Sequence, residues 1–401
     1  HTSPYQQWLN ELQKFDQAQL TFSNTSGQDQ VIKLWAANEG NSFQDSLTNF
    51  ETGASPQAIA FDKIRQLYFV VNQLGSSVDV FNTSGKKETS ILLEEDEFAF
   101  ASPLAIEVNE ITGTVLVIGA ISNRLYVIAP NFEVSHKITL DNRPVAMVLN
   151  RVNQQVYISH LLIKQVSIID LDSLEVQSRL AMDELVSSVA VHPSTGEWLA
   201  VLPDNNTIQV FNATNQLTKE LTNLNKELSK AAFLNEEDTI VLLDSSLNEI
   251  LKVEISTSKL LTKQGLISTP KSLQIGQDDI IFVGTDEPAT LHSFTSNLTV
   301  LSVFSLSAFH SEMFVSEEHQ QVLIPNPTTS TILVQSLGEG QNITASDNYV
   351  EVLRDFQNQS AIVRHLKLFY SGQPLAPVLR LGTKSSRGIN GYSFVRNSRL
   401  F

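Results

Sequence analysis

Pro56-Gln-Ala-Ile-Ala-Phe61, Leu67-Tyr-Phe-Val-Val-Asn72 and Val78-Asp-Val-Phe81 are three short strand-like runs separated by polar turns, and together they decide the fold. The unit recurs. Pro144 to Leu149 is followed by Val156-Tyr-Ile-Ser-His160 and Val166-Ser-Ile-Ile-Asp170, and further first strands begin near Pro103, Ser187, Ser229, Pro270 and Ser311. Successive starts lie 47, 41, 43, 42, 41 and 41 residues apart, the length of one four-stranded sheet with its turns. Short alternating runs between the copies, such as Lys137-Ile-Thr-Leu140 and Val300-Leu-Ser-Val303, supply the fourth strand.

The first two strands of each copy are rich in Val, Ile, Leu and Tyr, as strands buried on both faces must be, while the third alternates because it lies further out. No copy can bury its faces alone. Radial stacking into a closed ring covers the faces and shortens the exposed edges, so the pattern predicts an all-β, seven-bladed β-propeller. An array of β-sandwiches or an open β-solenoid would share the strand content, but Asn82-Thr-Ser-Gly85 and Ser194-Thr-Gly196 fall where propeller hairpins need turns.

Working outward, residues 31–340 form the expected propeller, with 1–30 as a lead-in and 341–401 as an extension. Residues 3–18 read as a short amphipathic helix, Ser3 capping it and Pro4 opening it, with Tyr5, Trp8, Leu9, Leu12 and Phe15 on one face. That face either packs on the propeller or docks a partner. Val31 to Trp35 and Leu47 to Phe50 resemble third and outer strands without a first strand before them, so they are expected to close the ring by completing a blade begun at the other end. Tyr349 to Leu353 and Ile362 to Phe369 would make an eighth blade; seven is the preferred count. Gly382 to Phe401 has no periodicity and reads as an extended tail.

The repeat "Pro-x-x-Ile-Ala-Phe/Val, Val-Tyr-Val/Ile-x-Asn/His, Val-Ser-Ile-Ile-Asp" resembles the YVTN-type propeller repeat of surface-layer and periplasmic proteins over residues 56–335. Copies five to seven depart from it: Ser229 and Ser311 replace Pro, and the second-strand Tyr is missing. The resemblance implies the fold more than a function, since the same repeat is similar to those of lactonases and amine-dehydrogenase heavy chains.

The chain is 42% hydrophobic and 17% charged, contains no cysteine and has no run of eighteen apolar residues. It opens at His1 rather than Met, which fits an exported protein, periplasmic, cell-surface or secreted, after leader removal. Seven Asn-x-Ser/Thr sequons occur, at Asn24, Asn82, Asn205, Asn212, Asn297, Asn342 and Asn358. Net charge is −16, divided between about +6 in residues 351–401 and −22 in the rest. An acidic body argues against nucleic acid and anionic lipid as partners. The basic tail, with Arg387, Arg396 and Arg399, is a docking element for an acidic surface.

Phosphate-loop, zinc-helix, nucleophile-elbow and calcium-loop motifs are absent, and the eight histidines share no metal-ligand spacing. One constellation follows from the repeat. Aligning the ends of the second strands puts Asn72, Ala120, His160, Asp204, Asp244, Asp286 and Asn326 at equivalent places near a central funnel. The six polar members are the expected ligand-binding rim. Asp204, Asp244 and Asp286 are the candidates for a Ca or Mg ion, although Asn and Asp also favour such places for turn geometry. With the motifs missing, the expectation is a non-catalytic module that binds a protein or glycan and needs no cofactor. The alternatives are a metal-dependent lactonase or sugar-acid hydrolase using the funnel carboxylates and His160, and a structural subunit of a larger extracellular or redox assembly.

Overall fold

A computed structural model of the chain describes residues 49–336, apart from 95–99, 223, 225–226, 236–237, 307–311 and 320, and beyond them the strands 17–18, 21–23, 33–38, 350–355, 360–367 and 377–382. It is an all-β, seven-bladed propeller. Seven antiparallel four-stranded sheets follow one another in chain order, the first six each laid down from inner strand to outer strand and the seventh taking its outer strand from the start of the ring. Blade 1 comprises Pro56–Asp62, Leu67–Asn72, Ser77–Asn82 and Lys87–Leu92; the inner strands of blades 2 to 7 are Pro103–Asn109, Pro144–Asn150, Ser188–Val191, Leu228–Phe233, Pro270–Ile275 and Phe314–Ser316. The inner strands of blades 1 to 6 touch in succession round the axis, Gln274 of blade 6 bonds to the backbone of Val315 in blade 7, and the second strand of blade 7 returns to the inner strand of blade 1.

The apolar runs of the sequence become the cores between blades. Val71, Val78 and Val80 of blade 1 pack against Ile106, Val115 and Val117 of blade 2, while Leu116, Ile118 and Leu125 on the other face of blade 2 meet Val156 and Ile158 of blade 3. Blade 4 stacks Trp198 between Phe211, with centroids 4.1 Å apart, and Tyr157 of blade 3 at 4.5 Å. The third strands are buried as fully as the second in most blades, because the next blade covers them too. Only the outer strands show polar alternation.

Ring closure is by strand exchange. Phe50–Glu51 forms the outer strand of blade 7, with Ile332 facing Phe50 and Thr331 facing Glu51. Phe50 is buried against Phe81 (centroids 5.2 Å) and Tyr68 (6.2 Å) of blade 1, so one ring ties the two ends of the circle. Gly85 adopts φ 81° beneath that ring, where a Cβ would strike it. Of the other segments expected to close the ring, 33–38 pairs with 377–382 as a two-stranded sheet. Residues 350–355 and 360–367 form a hairpin paired with 17–18 and 21–23 and contribute to none of the seven blades. The expected helix over 3–18, with Trp8, Leu12 and Phe15, lies outside the described residues except Gln17–Ala18, which are strand. Arg387, Arg396 and Arg399 also lie outside them.

Three consecutive blades carry a polar clamp. The acid two residues beyond each outer strand, Glu94, Asp141 or Asp183, reaches the third and outer strands of the next blade: Glu94 takes Arg124 (2.8 Å), Lys137 (3.0 Å) and the Tyr126 hydroxyl, Asp141 takes Gln165 (2.7 Å) and Arg179, and Asp183 takes Gln209 (2.9 Å). At the closure the polarity is reversed, with Asp79 on the third strand accepting from Gly53 N (2.7 Å) and Lys87 (2.9 Å).

Phe50→Ala is expected to lower stability by about 3–5 kcal/mol, the cost of a buried aromatic truncation. Urea unfolding monitored by circular dichroism measures it, and amide exchange in 331–336 should lose protection before blades 2 to 5.

Candidate functional site

The central channel is the one place where all seven blades converge. A residue on an inner strand has a blade on either side, so it reaches solvent only along the axis. The antiparallel register identifies equivalent levels. The residue just before the end of each second strand faces Ala58, Ala105, Ala146, Ser188, Lys230 or Ser272 in blades 1 to 6, and continuing the pairing Phe314↔Leu323 puts Glu312 at this level in blade 7. The upper ring is therefore three alanines over blades 1 to 3 and Ser, Lys, Ser, Glu over blades 4 to 7. Lys230 and Glu312 form an ion pair that bridges blades 5 and 7, with 28% and 40% of their side chains open to the channel, and Ser272 of blade 6 donates to Glu312 Oε2 at 3.2 Å.

Two residues further along the strands, about 6–7 Å deeper, the ring reads Ala60, Glu107, Val148, Ala190, Ala232, Gln274 and Phe314. Gln274 exchanges two hydrogen bonds of 2.9 Å with the backbone of Val315. Glu107 stands 3.8 Å from Arg151, and 27% of its side chain is exposed. Burial pushes its carboxyl up to about 7, and the Arg151 charge and the Leu149 N–H pull against that shift. A carboxyl with that value exchanges protons near neutrality, which a surface glutamate does not.

The channel mouth is shaped by a β-bulge in the inner strands of blades 1, 2, 3, 5 and 6, which sets Gln57, Leu104, Val145, Ser229 and Lys271 at the lip. Beside each lip the turn after the second strand is fastened to the segment leading into the inner strand: Gln73 N to Ser55 O (2.8 Å), Ala120 N to Ser102 O (3.0 Å), Leu161 N to Arg143 O (2.9 Å), Ser245 N to Glu227 O (3.1 Å) and Asp286 N to Thr269 O (3.0 Å).

Of the residues expected at the rim, Asn72, His160, Asp244 and Asp286 sit at or just below this fastening, Asp204 lies in the corresponding turn of blade 4, and Asn326 ends the second strand of blade 7. Asn72 is fully buried and donates to Ser77 Oγ (3.1 Å). His160 is fully buried, its ring between Asn142 O (3.2 Å) and Ser167 Oγ (2.8 Å); burial holds its pKa below the usual histidine value, against the Asn142 carbonyl and the Asp141 charge. Asp244 is fully buried and accepts from Ser246 N (2.8 Å) and Leu247 N (3.0 Å); Asn326 accepts from Thr328 N (3.1 Å) and Thr329 N (3.2 Å). Asp286 is half-buried and accepts from Glu287 N (3.0 Å), and Asp204 is exposed in its turn. The register places Gly119, Leu202 and Thr285, rather than Ala120, Asp204 and Asp286, at the ends of their second strands. Among the described residues, no three His, Cys, Asp or Glu side chains gather as a metal site. The Lys230–Ser272–Glu312 cluster was missed by the sequence reading; it comes into line only when the starts at Ser187, Ser229 and Ser311 are each moved back one residue, which sets Ser188, Lys230, Ser272 and Glu312 against the three alanines.

Comparison with known proteins places this geometry in a broader class. No family model matches the chain, the YVTN repeat included, and no curated protein matches it. Among solved structures, it is similar to virginiamycin B lyase from Staphylococcus aureus at 13% identity and TM-score 0.59, over 75% of this chain and 98% of that one. It is also similar to a streptogramin B lyase at 12% identity and TM-score 0.58, over 75% and 96%. At such identities the likeness is one of fold. Both are enzymes, however, and the expectation of a non-catalytic scaffold drawn from missing motifs does not stand. A ring assembles its site from single residues some forty positions apart, so a catalytic propeller leaves no contiguous motif to find.

Glu107→Gln tests the channel environment. With its folded value above its unfolded one, Glu107 binds more protons folded than unfolded between about pH 4.5 and 7, so its contribution falls as pH rises through that window. The glutamine variant is expected to be more stable than wild type at pH 8 relative to pH 5, by at most about 3 kcal/mol, as read from urea midpoints at the two pH values.

Proposed function

We propose that the chain is an acid–base enzyme that cleaves the C–O bond of an ester or lactone held in the mouth of the channel. The observation that carries this is the Lys230–Glu312 pair with Ser272, set in a ring otherwise built of small side chains. An ion pair kept partly out of water contributes little to stability, so its place on the axis is better explained by chemistry. The lyase activity named for both structural neighbours supports the same class of reaction.

In an elimination, the Glu312 carboxylate takes a proton from the carbon next to the one bearing the oxygen. The C–H electron pair becomes a C=C bond, the C–O pair leaves with oxygen, and Lys230 protonates that oxygen or stabilises its charge. In a hydrolysis, the same carboxylate takes a proton from water, whose oxygen adds to the carbonyl carbon while Lys230 faces the developing oxyanion. The oxyanion then re-forms the carbonyl, the C–O bond to the alcohol breaks, and the proton held by Glu312 passes to the departing alkoxide. Substrate must separate the pair, and its carbonyl replaces Glu312 as the partner of Lys230. Glu107, deeper in the channel, is a second group able to exchange protons near neutral pH. The turn carboxylates Asp244 and Asp286 play no part in this reading, since their hydrogen bonds hold the rim.

A panel of esters and lactones with purified protein is expected to show turnover that Lys230→Met and Glu312→Gln each lower by about 100-fold or more in kcat/KM. Reaction in 18O-labelled water separates the two routes, because hydrolysis incorporates label and elimination yields an unlabelled product with a new double bond. Full activity in both variants would overturn the assignment.

A further inference from the structure

We infer, building on that reading, that the substrate carries an apolar acyl chain, whose carbonyl end meets Lys230 and Ser272 and whose chain runs across the opposite wall and out over blades 2 and 3. The two walls of the channel mouth differ in kind. Over blades 5 and 6 the lip and upper ring are Ser229, Lys230, Lys271 and Ser272; over blades 2 and 3 the same four places are Leu104, Ala105, Val145 and Ala146.

The asymmetry continues onto the rim. Two residues beyond the end of the second strand, blades 1 to 3 present Leu74, Ile121 and Leu162, which are 65%, 52% and 64% exposed. Blades 4 to 7 place Asp204, Ser246, Glu287 and Thr328 there. Leu161, 46% exposed, adjoins Leu162. Leu247 in the blade 5 turn is also exposed, at 41%, but the lip and upper ring of that blade are Ser229 and Lys230. Apolar side chains thus continue from the upper ring through the lip to the rim over blades 2 and 3, facing a cationic wall. An anionic or carbonyl head with a hydrocarbon tail matches both ends at once, and a polar ligand of the same size matches one.

Exposed aliphatics alone do not mark a site. Ile64, Ile111 and Val152 project from the turns between first and second strands of blades 1 to 3, on the opposite face, and are 73%, 72% and 50% exposed. They provide an internal control, since they share the exposure and lack the continuity with the channel.

Dodecanoate and acetate binding, measured by titration calorimetry on the full chain, test the inference without requiring turnover. Dodecanoate is expected to bind at one site and acetate to show no measurable binding. Ile121→Asp and Leu162→Asp are each expected to weaken dodecanoate roughly tenfold, Lys230→Met to weaken it as well, and Ile111→Asp to leave it unchanged. All three aspartates replace exposed turn residues, and circular dichroism confirms that the fold is kept. Absence of dodecanoate binding, or equal weakening by Ile111→Asp, overturns the inference whether or not esters are cleaved. Dodecanoate binding with this pattern but without ester or lactone turnover leaves the chain-binding track standing and removes the proposed reaction.

Discussion

Each blade has two apolar faces, and a free-standing sheet of this composition would leave both in water. The whole architecture depends on covering them in a closed circle, where the last face is buried by the first. Every core cluster draws on two successive blades, and the seam between blades 7 and 1 is closed in the same way, with Phe61, Tyr68 and Phe81 packed on Leu323 and Ile332 around Phe50. Because each face is buried only when its neighbour is in place, the ring is cooperative and the seam is where it can open. The Phe50–Glu51 strand is short, and its effect comes from joining residues far apart in sequence through an aromatic cluster.

The same constraint produces the channel. Seven inner strands can pack round an axis only if their side chains there are small or point along it, and this favours the alanines at 58, 105 and 146. The large polar residues at 230 and 312 depart from that rule. Their chains are long enough to meet across blade 6, and the free energy of desolvating them is limited by the water of the open mouth. The rim fastening, repeated in blades 1, 2, 3, 5 and 6, fixes the strand from which Lys230 projects, while Glu312 stands two residues before the inner strand of blade 7 and is tied to blades 5 and 6 through Lys230 and Ser272.

Much of this was legible in the sequence. The 42-residue period, the doubly buried second strands and the outer strand supplied by Phe50 follow from hydrophobic patterning, which the ring preserves because burial is what it selects. The Lys230–Ser272–Glu312 cluster was not legible, for two reasons. Aligned polar residues such as Asp244 and Asn326 drew attention to the second-strand ends, where the polarity is turn chemistry: their carboxylate and amide oxygens accept the turn's own N–H groups. The sequons at Asn82 and Asn212 have the same origin, each Oδ1 accepting from two backbone N–H groups in a third-to-outer-strand turn. The second reason is register. Five inner strands contain a bulge, and blades 4, 5 and 7 lack the proline that marks the first position in blades 1 to 3 and 6, so counting from Ser187, Ser229 and Ser311 started one residue late.

That one-residue displacement matters because side chains alternate along a strand. Started correctly, the comparison sets Ala58, Ala105 and Ala146 against Lys230 and Ser272, and the break in an otherwise regular repeat becomes visible. A repeat protein is under the same packing demand in every copy, so a position where some copies obey and others depart is where something besides packing has acted. Lys230 and Glu312 also need each other. A lone cation or carboxylate at this level would sit uncompensated between apolar blades, so the two departures, 82 residues apart in sequence, are coupled through the channel they share.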